Sequence, residues 1–141
     1  MMKPDKTTTI DHANTDATQL KGKTGLRRLF NAFFYSMKGY QAAFLHEDAF
    51  RQECLIFAIA LPVALLLPIS VSEKCLLCLT LFFVIIAELI NSAIEAVVDR
   101  IGTEIHPLSA RAKDIGSAAV LTTLLMALLT WGLVLWNLLI G

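Results

Sequence analysis

The apolar run over residues 75–98 constrains this chain more than any other stretch, because it is long enough to cross a bilayer and yet carries acids. Glu88, Asn91 and Glu95 lie inside the run, and Asp99 follows it directly. A charged side chain at bilayer depth costs roughly 2.5–3.5 kcal/mol on insertion scales, so such residues indicate a function by default. At about 100° per residue these side chains share one stripe of a helix. We therefore expect that stripe to face protein or a wet cleft rather than lipid.

Two further apolar segments, at about residues 50–69 and 115–140, flank this run and complete three candidate membrane spans. With 56% apolar and 17% charged residues, the chain is too apolar for a typical soluble domain. Composition therefore predicts an all-α membrane protein with one domain over residues 26–141. Residues 1–25 are polar, lack the apolar core of a signal peptide, and are expected to form a disordered tail.

The segment 26–46 precedes the first span and has the pattern of an amphipathic helix. Its large apolar residues recur at intervals of three and four: Leu26, Leu29, Phe30, Phe33, Met37, Tyr40 and Phe44. Basic residues fall mostly on the other side, which is typical of a helix lying on a membrane surface. A helix in a soluble core would show the same periodicity, but the chain has no soluble domain that could bury it.

The distribution of basic residues predicts how the spans are oriented. Lysine and arginine are frequent before the first span and again within residues 99–116, whereas Lys74 alone marks the turn at 70–74. By the positive-inside rule, the N-terminus and the 99–116 loop are expected in the cytoplasm. Both polar clusters of the chain would then share the cytoplasmic side.

Two carboxylate-bearing stretches are expected to converge at that boundary: HEDAFRQE at 46–53 and ELINSAIEAVVD at 88–99. Hard oxygen ligands from two helices suit Mg²⁺, which proteins usually hold with one or two carboxylates together with substrate phosphates. Two structural alternatives stay open on spacing alone. Glu47 could be a solvated interfacial acid, and Glu88 could make a hydrogen bond between helices.

The loop DRIGTEIHPLSARAKDIGS mixes acids, bases and His106. Its basic residues are what nucleotide phosphates need, although the same composition also occurs in simple cytoplasmic turns. The chain has no GxxxxGK[ST] and no GxGxxG, so a bound nucleotide would not use the common phosphate-binding loops.

Three motifs resemble the bacterial diacylglycerol kinase family: AFRQE at 49–53, ELINSAIEAVVDRIG at 88–102 and LSARAKDIGSAAVL at 108–121. The resemblance covers about residues 26–141. It implies a homotrimeric enzyme of the bacterial inner membrane that transfers the ATP γ-phosphate to diacylglycerol at the cytoplasmic face, forming phosphatidic acid for lipid recycling. A related branch phosphorylates undecaprenol, and DRIG followed by LSARAKD is closer to the diacylglycerol branch.

The resemblance also implies roles for individual residues. Glu88 is expected to be the general base, and Glu47 and Glu95 are expected to hold a Mg²⁺ ion that bridges the ATP phosphates. Nucleotide contacts are implied for Arg28, Tyr35, Glu47, Glu95, Glu104, His106, Lys113 and Asp114. Contacts with the lipid substrate are implied for Arg28, Arg51, Glu53, Glu88, Asn91 and Ser117. The chain departs from the family pattern at Gln41, where a basic residue is expected, and at Asp48, which replaces a small residue, so lipid entry or headgroup preference can differ.

Two other functions remain open on the residues alone. Acids within a membrane also build proton or ion conduits, and an acidic stripe can simply lock helices together in a scaffold. A conduit predicts flux without ATP and leaves the basic residues at 111–113 without a role. No nucleic-acid partner is expected.

Overall fold

The computed structural model describes residues 25–101 and 106–140, and the regular elements in these ranges are α-helices. They are α1 (Leu26–His46), α2 (Asp48–Leu66), α3 (Val71–Ile101) and α4 (Pro107–Ile140). Helices α2, α3 and α4 are each long and apolar enough to cross a membrane. The predicted all-α class with three membrane-length helices is therefore confirmed, and the homotrimer stays a prediction. Residues 1–24, which hold most of the expected tail, lie outside the described part of the chain.

Helix α1 begins directly after Gly25, whose φ of 87° lies in the region that favours glycine. The carbonyl oxygen of Gly25 accepts a hydrogen bond from the backbone N–H of Arg28 at 3.0 Å, which closes the first turn. The chain divides into two compact units within this helix, between residues 37 and 38. In the described part of the first unit, the apolar side chains are exposed, including Leu26, Leu29, Phe30 and Phe33. Their contact with a membrane surface stays a prediction.

A single residue, Glu47, joins α1 to α2, with extended backbone angles of φ −113° and ψ 114°. The Arg51 guanidinium closes this junction by donating from Nη1 to the carbonyl oxygens of Phe44 at 3.1 Å and Leu45 at 3.4 Å. The same guanidinium forms an ion pair with Asp48, one turn earlier. Because the last carbonyls of a helix have no intrahelical partner, these bonds tie the last turn of α1 to the start of α2.

Helix α3 is the centre of the second unit, because α2 and α4 both pack against it. Its buried residues recur at intervals of three and four, the spacing of a helix seam: Leu77, Thr80, Leu81, Val84, Glu88, Asn91 and Ser92. Residues off this seam, such as Ile86, Ile90 and Val97, are exposed. The part of the acidic stripe with Glu88 and Asn91 therefore faces neighbouring helices, as the sequence predicts, and the apolar side is available to lipid.

Leu77 is expected to be one of the most stabilising residues of this unit, because it is 0% exposed and packs with Ala64 of α2 and Val134 of α4. Leu77→Ala should lower the free energy of unfolding by about 2–3 kcal/mol, the low end for buried leucines, since hydrophobic transfer contributes less when lipid is the solvent. Unfolding in detergent micelles measures this loss. The matched control is Leu76→Ala, because Leu76 is 51% exposed. Equal unfolding midpoints for the two variants would contradict this core.

Residues 107–116 correct one expectation from the sequence. Their polarity predicts a loop between the second and third spans, but this is wrong, because they form the first turns of α4. Pro107 occupies the first helical position, where its missing N–H has no partner to lose. His106 caps the helix, since the Leu108 backbone N–H donates to its Nδ1 at 3.2 Å. The following residues continue the helix although several are charged, because leucine, alanine, arginine and lysine all have high helix propensity.

Candidate active site

Two carboxylates are buried on the facing sides of α2 and α3. Glu53 of α2 is 9% exposed and Glu88 of α3 is 3% exposed. Their side chains are close enough for the two negative charges to interact. The Oε2 atom of Glu53 has no hydrogen-bond partner among the described residues. Burying like charges together is unfavourable, so this pair indicates a site that is kept for chemistry rather than for stability.

Glu47 and Glu95 complete the group of acids around Glu88, and we refer to Glu47, Glu53, Glu88 and Glu95 as the acid cluster. Glu95 follows Glu88 by two turns on the same side of α3, and Glu47 lies at the junction of α1 and α2. Both are half-buried, and both are near enough to Glu88 for their charges to interact with it. The Glu47 side chain makes no capping hydrogen bond with α2, so its carboxylate is not used to cap the helix.

Asn91 links the acid cluster to α4. Its amide is buried, at 8% exposure, and its Nδ2 donates to Oε1 of Glu95 at 2.9 Å. On its other side the amide oxygen, Oδ1, faces Gly116 of α4. A single side chain therefore touches both a predicted metal ligand and the neighbouring helix.

Lys113 brings a positive charge to the same region. Its Nζ forms an ion pair with Oδ1 of Asp99 at 2.7 Å, which joins α4 to the last turns of α3. The Lys113 ammonium is also close enough to Glu95 and Glu47 for their negative charges to interact with it. The site thus contains a cation beside several carboxylates, which is the combination that binds a metal-chelated phosphate.

A cavity of about 470 Å³ opens beside the acid cluster, between the end of α1 and α3. Its polar wall residues are His46, Glu47 and Ser92, and the rest of its lining is apolar and mostly small. This volume lies within the usual range of about 300–1,000 Å³ for small-molecule sites. Because Glu47 stands in the wall, a ligand in this cavity would meet the acid cluster directly.

A second cavity, of about 510 Å³, is lined almost entirely by apolar and aromatic side chains. Its lining includes Cys54, which follows Glu53 in the chain, and Ile85, three residues before Glu88. Gln41, the residue at which the chain departs from the expected basic one, is part of its wall. The chemistry of this lining suits an apolar molecule.

The predicted metal ligands are two carboxylates, Glu47 and Glu95. Within residues 25–101 and 106–140 there is no cluster of three or more His, Cys, Asp or Glu side chains that could hold a metal ion. Mg²⁺ is commonly held by one or two carboxylates, with substrate phosphates and water supplying the remaining ligands. The pair Glu47 and Glu95 fits this donor set.

Comparison with known proteins identifies the family of this chain. A family model described as prokaryotic diacylglycerol kinase matches residues 34–135. The chain belongs to this family. Diacylglycerol kinase of Escherichia coli (strain K12) is 48% identical over 114 residues, which cover 81% of this chain and 93% of that protein. Diacylglycerol kinase of Pseudomonas aeruginosa is 49% identical over 115 residues, covering 82% and 94%. Diacylglycerol kinase of Helicobacter pylori (strain 26695) is 44% identical over 108 residues, covering 77% and 84%.

For the other residues expected to act in this member of the family, the described part of the structure shows no contact with nucleotide or lipid. Arg28 and Tyr35 are exposed residues of the first unit. On α4, Asp114 and Ser117 are exposed, whereas Gly116 between them is buried. Glu104 lies outside the described residues, and His106 and Arg51 make the capping contacts already described. Their predicted contacts with nucleotide or lipid stay predictions.

Two residues that the sequence did not single out lie beside residues of the candidate site. Ser92 is 9% exposed, its Oγ has no hydrogen-bond partner among the described residues, and it lines the cavity beside Glu47. Its position one turn after Glu88 could have placed it on the seam. Gly116 gave no signal in the sequence, because only the approach of α4 to α3 shows what it faces.

Proposed function

We propose that this chain is a lipid kinase that uses ATP to phosphorylate diacylglycerol, forming phosphatidic acid. The observation that carries the proposal is the grouping of Glu47, Glu88 and Glu95 with Lys113 in a unit built from membrane-length helices. Such a site offers carboxylates to a metal, a cation to phosphates and a buried base to an alcohol that arrives from the bilayer. The relatives named diacylglycerol kinase, aligned over most of their own length, support the same acceptor.

In the proposed reaction, Glu88 accepts the proton of the diacylglycerol hydroxyl while the hydroxyl oxygen attacks the γ-phosphorus of ATP. The new oxygen–phosphorus bond forms as the bond from the γ-phosphorus to the β,γ-bridging oxygen breaks, and ADP leaves with that oxygen. The proton then passes from Glu88 to solvent. Phosphoryl transfer depends mainly on positioning and on charge neutralisation, and a positioned base typically adds a factor of about 10²–10⁴.

Glu47 and Glu95 are the residues that would hold Mg²⁺, which when bound neutralises phosphate charge. Asn91 orients Glu95 for this task through its hydrogen bond to Oε1. Lys113 would exchange its partner Asp99 for a phosphate oxygen. This exchange is favourable because a half-exposed ion pair contributes little by itself, whereas a phosphate offers several charged oxygens.

We further propose that the chain is a multi-pass protein of the bacterial inner membrane with its N-terminus and acid cluster on the cytoplasmic side. The excess of basic residues before α2 and at the facing ends of α3 and α4, with Arg100, Arg111 and Lys113, supports this orientation. A homotrimer is proposed as well. The buried residues of α4 are Gly116, Val120 and Val134, so most of this helix is left for another copy or for lipid. The exposed Asp114 and Ser117 would then serve a site completed by a neighbouring subunit.

The test is a direct assay of purified protein in mixed micelles with Mg²⁺, labelled ATP and either diacylglycerol or undecaprenol. We expect labelled phosphatidic acid, and little product from undecaprenol. Undecaprenyl phosphate as the main product would move the chain to the undecaprenol branch of the family. If neither lipid is labelled while liposomes show ion flux without ATP, the kinase proposal is rejected in favour of a conduit.

A further inference from the structure

The contact between Gly116 of α4 and Asn91 of α3 has no room for a side chain at position 116. A Cβ atom added to Gly116 would overlap Oδ1 of Asn91, and it would lie 3.3 Å from Cγ and 3.9 Å from Cα of the same residue. The obstacle is therefore the Asn91 side chain, because the distance to Cα is an ordinary van der Waals contact. Glycine lets the two helices approach closely at this level, as small residues commonly do between membrane helices.

The orientation of the Asn91 amide is determined from both sides. Its Nδ2 donates to Oε1 of Glu95, so a flipped amide would turn its oxygen toward a carboxylate and lose this bond. Its Oδ1 is buried, has no hydrogen-bond partner among the described residues, and faces Gly116. A buried amide oxygen without a partner is uncommon and asks for an explanation. Here the explanation is that the Nδ2 end of the amide donates to Glu95, and this hydrogen bond holds Oδ1 against Gly116.

The cation of α4 lies close to Gly116 along the helix. Lys113 precedes Gly116 by one turn, on the side of α4 that meets α3, and forms its ion pair with Asp99. If α4 were pushed away from α3 at Gly116, the Lys113 ammonium would shift relative to Glu95. If α4 stayed in place, a side chain at position 116 would instead displace the Asn91 amide that bonds Glu95.

We propose that Gly116 is a positioning residue for the metal-nucleotide site. Its missing side chain lets Asn91 hold Oε1 of Glu95, which leaves Oε2 of Glu95 to bind the cation. The inference rests on the proposed kinase function, because it takes Glu95 as a metal ligand. A need for glycine in α4 packing in general does not explain the contact, since a Cβ at Gly132 of the same helix would meet nothing within 4 Å.

The experiment compares Gly116→Ala with Gly132→Ala. Binding of Mn²⁺ in the presence of a non-hydrolysable ATP analogue is followed by loss of the free Mn²⁺ signal in electron paramagnetic resonance, without lipid and without turnover. We expect Gly116→Ala to weaken Mn²⁺ binding by about 10-fold or more, the range for residues that orient metal ligands, and to raise the Mg²⁺ requirement without changing the KM for the lipid. Gly132→Ala should change neither. Unaltered Mn²⁺ binding in folded Gly116→Ala protein would overturn the proposal.

The route through Asn91 is tested with a double-mutant cycle. In an Asn91→Ala background the overlap no longer exists, so adding Gly116→Ala should cause no further loss of Mn²⁺ binding. If Gly116→Ala alone does not fold, the double variant should fold and bind Mn²⁺ as weakly as Asn91→Ala. Additive losses, or a double variant that also fails to fold, would overturn the proposal. These results differ from those expected if the chain is not a kinase. In that case the wild-type protein would bind Mn²⁺ and nucleotide no better than these variants and would label no lipid.

Discussion

Glu88→Gln is expected to lower kcat for lipid phosphorylation by about 10²–10⁴-fold or more, because an amide cannot accept the proton of the lipid hydroxyl. Glutamine has nearly the same shape as glutamate, so packing between the helices should survive. The charge of Glu88 is buried among Glu47, Glu53 and Glu95, and its removal relieves repulsion. We therefore expect an unchanged or higher unfolding midpoint together with the lost activity.

The matched control for Glu88→Gln is Glu73→Gln on the same helix. Glu73 lies in the first turn of α3, where its Oε2 accepts hydrogen bonds from Ser70 N at 2.9 Å and Ser70 Oγ at 2.6 Å, and glutamine can keep an acceptor there. This control should retain activity. Steady-state kinetics with labelled ATP and thermal unfolding in micelles measure both variants. Substantial turnover by folded Glu88→Gln protein would remove Glu88 from the role of base.

Glu95→Gln is expected to lower kcat/KM for Mg²⁺-ATP by at least about 10²-fold, since a first-sphere ligand should matter no less than the outer partners whose loss costs 10–100-fold. The Oε1 atom of glutamine can still accept the hydrogen bond from Asn91, so the effect isolates the lost charge. The Mg²⁺ concentration for half-maximal activity should rise. A titration of Mg²⁺ at saturating ATP gives this value directly.

Mn²⁺ binding separates the effects of Glu95→Gln and Glu88→Gln. With the non-hydrolysable ATP analogue, Glu95→Gln should bind Mn²⁺ weakly, whereas Glu88→Gln should bind it at least as well as the wild type, because it removes a base and not a ligand. Glu73→Gln again serves as the control. Should the Mg²⁺ requirement of Glu95→Gln match that of the wild type, Glu95 would not be a metal ligand.

The sequence predicts the class of fold well, because each span is signalled locally. Apolar runs of bilayer length predict the three long helices, and the intervals of three and four in residues 26–46 predict the leading helix. The boundaries are less predictable. Residues 107–116 are helical although their charges suggest a loop, because Pro107 and the His106 cap start the helix before the apolar part begins.

The candidate site is predictable only where its residues share an element or a motif. Glu88, Asn91 and Glu95 follow from helical periodicity on α3, and the burial of Glu88 and Asn91 follows from the high cost of polar groups in lipid. Arg51 shows what the sequence does not provide. The resemblance implies its contact with the lipid substrate, which stays a prediction, and only the structure shows that its guanidinium bonds the end of α1 and pairs with Asp48.

The sequence by itself determined that the chain has three membrane-length helices and that acids lie within them, since both depend on residue type and local spacing. Only the tertiary structure decided that Glu47 lies near Glu88, that Lys113 pairs with Asp99, and that Gly116 stands against Asn91. These contacts depend on how each helix is rotated about its axis and on how closely neighbouring helices approach. Periodicity within one helix carries no information about its distance to another, and that distance determines which side chains meet.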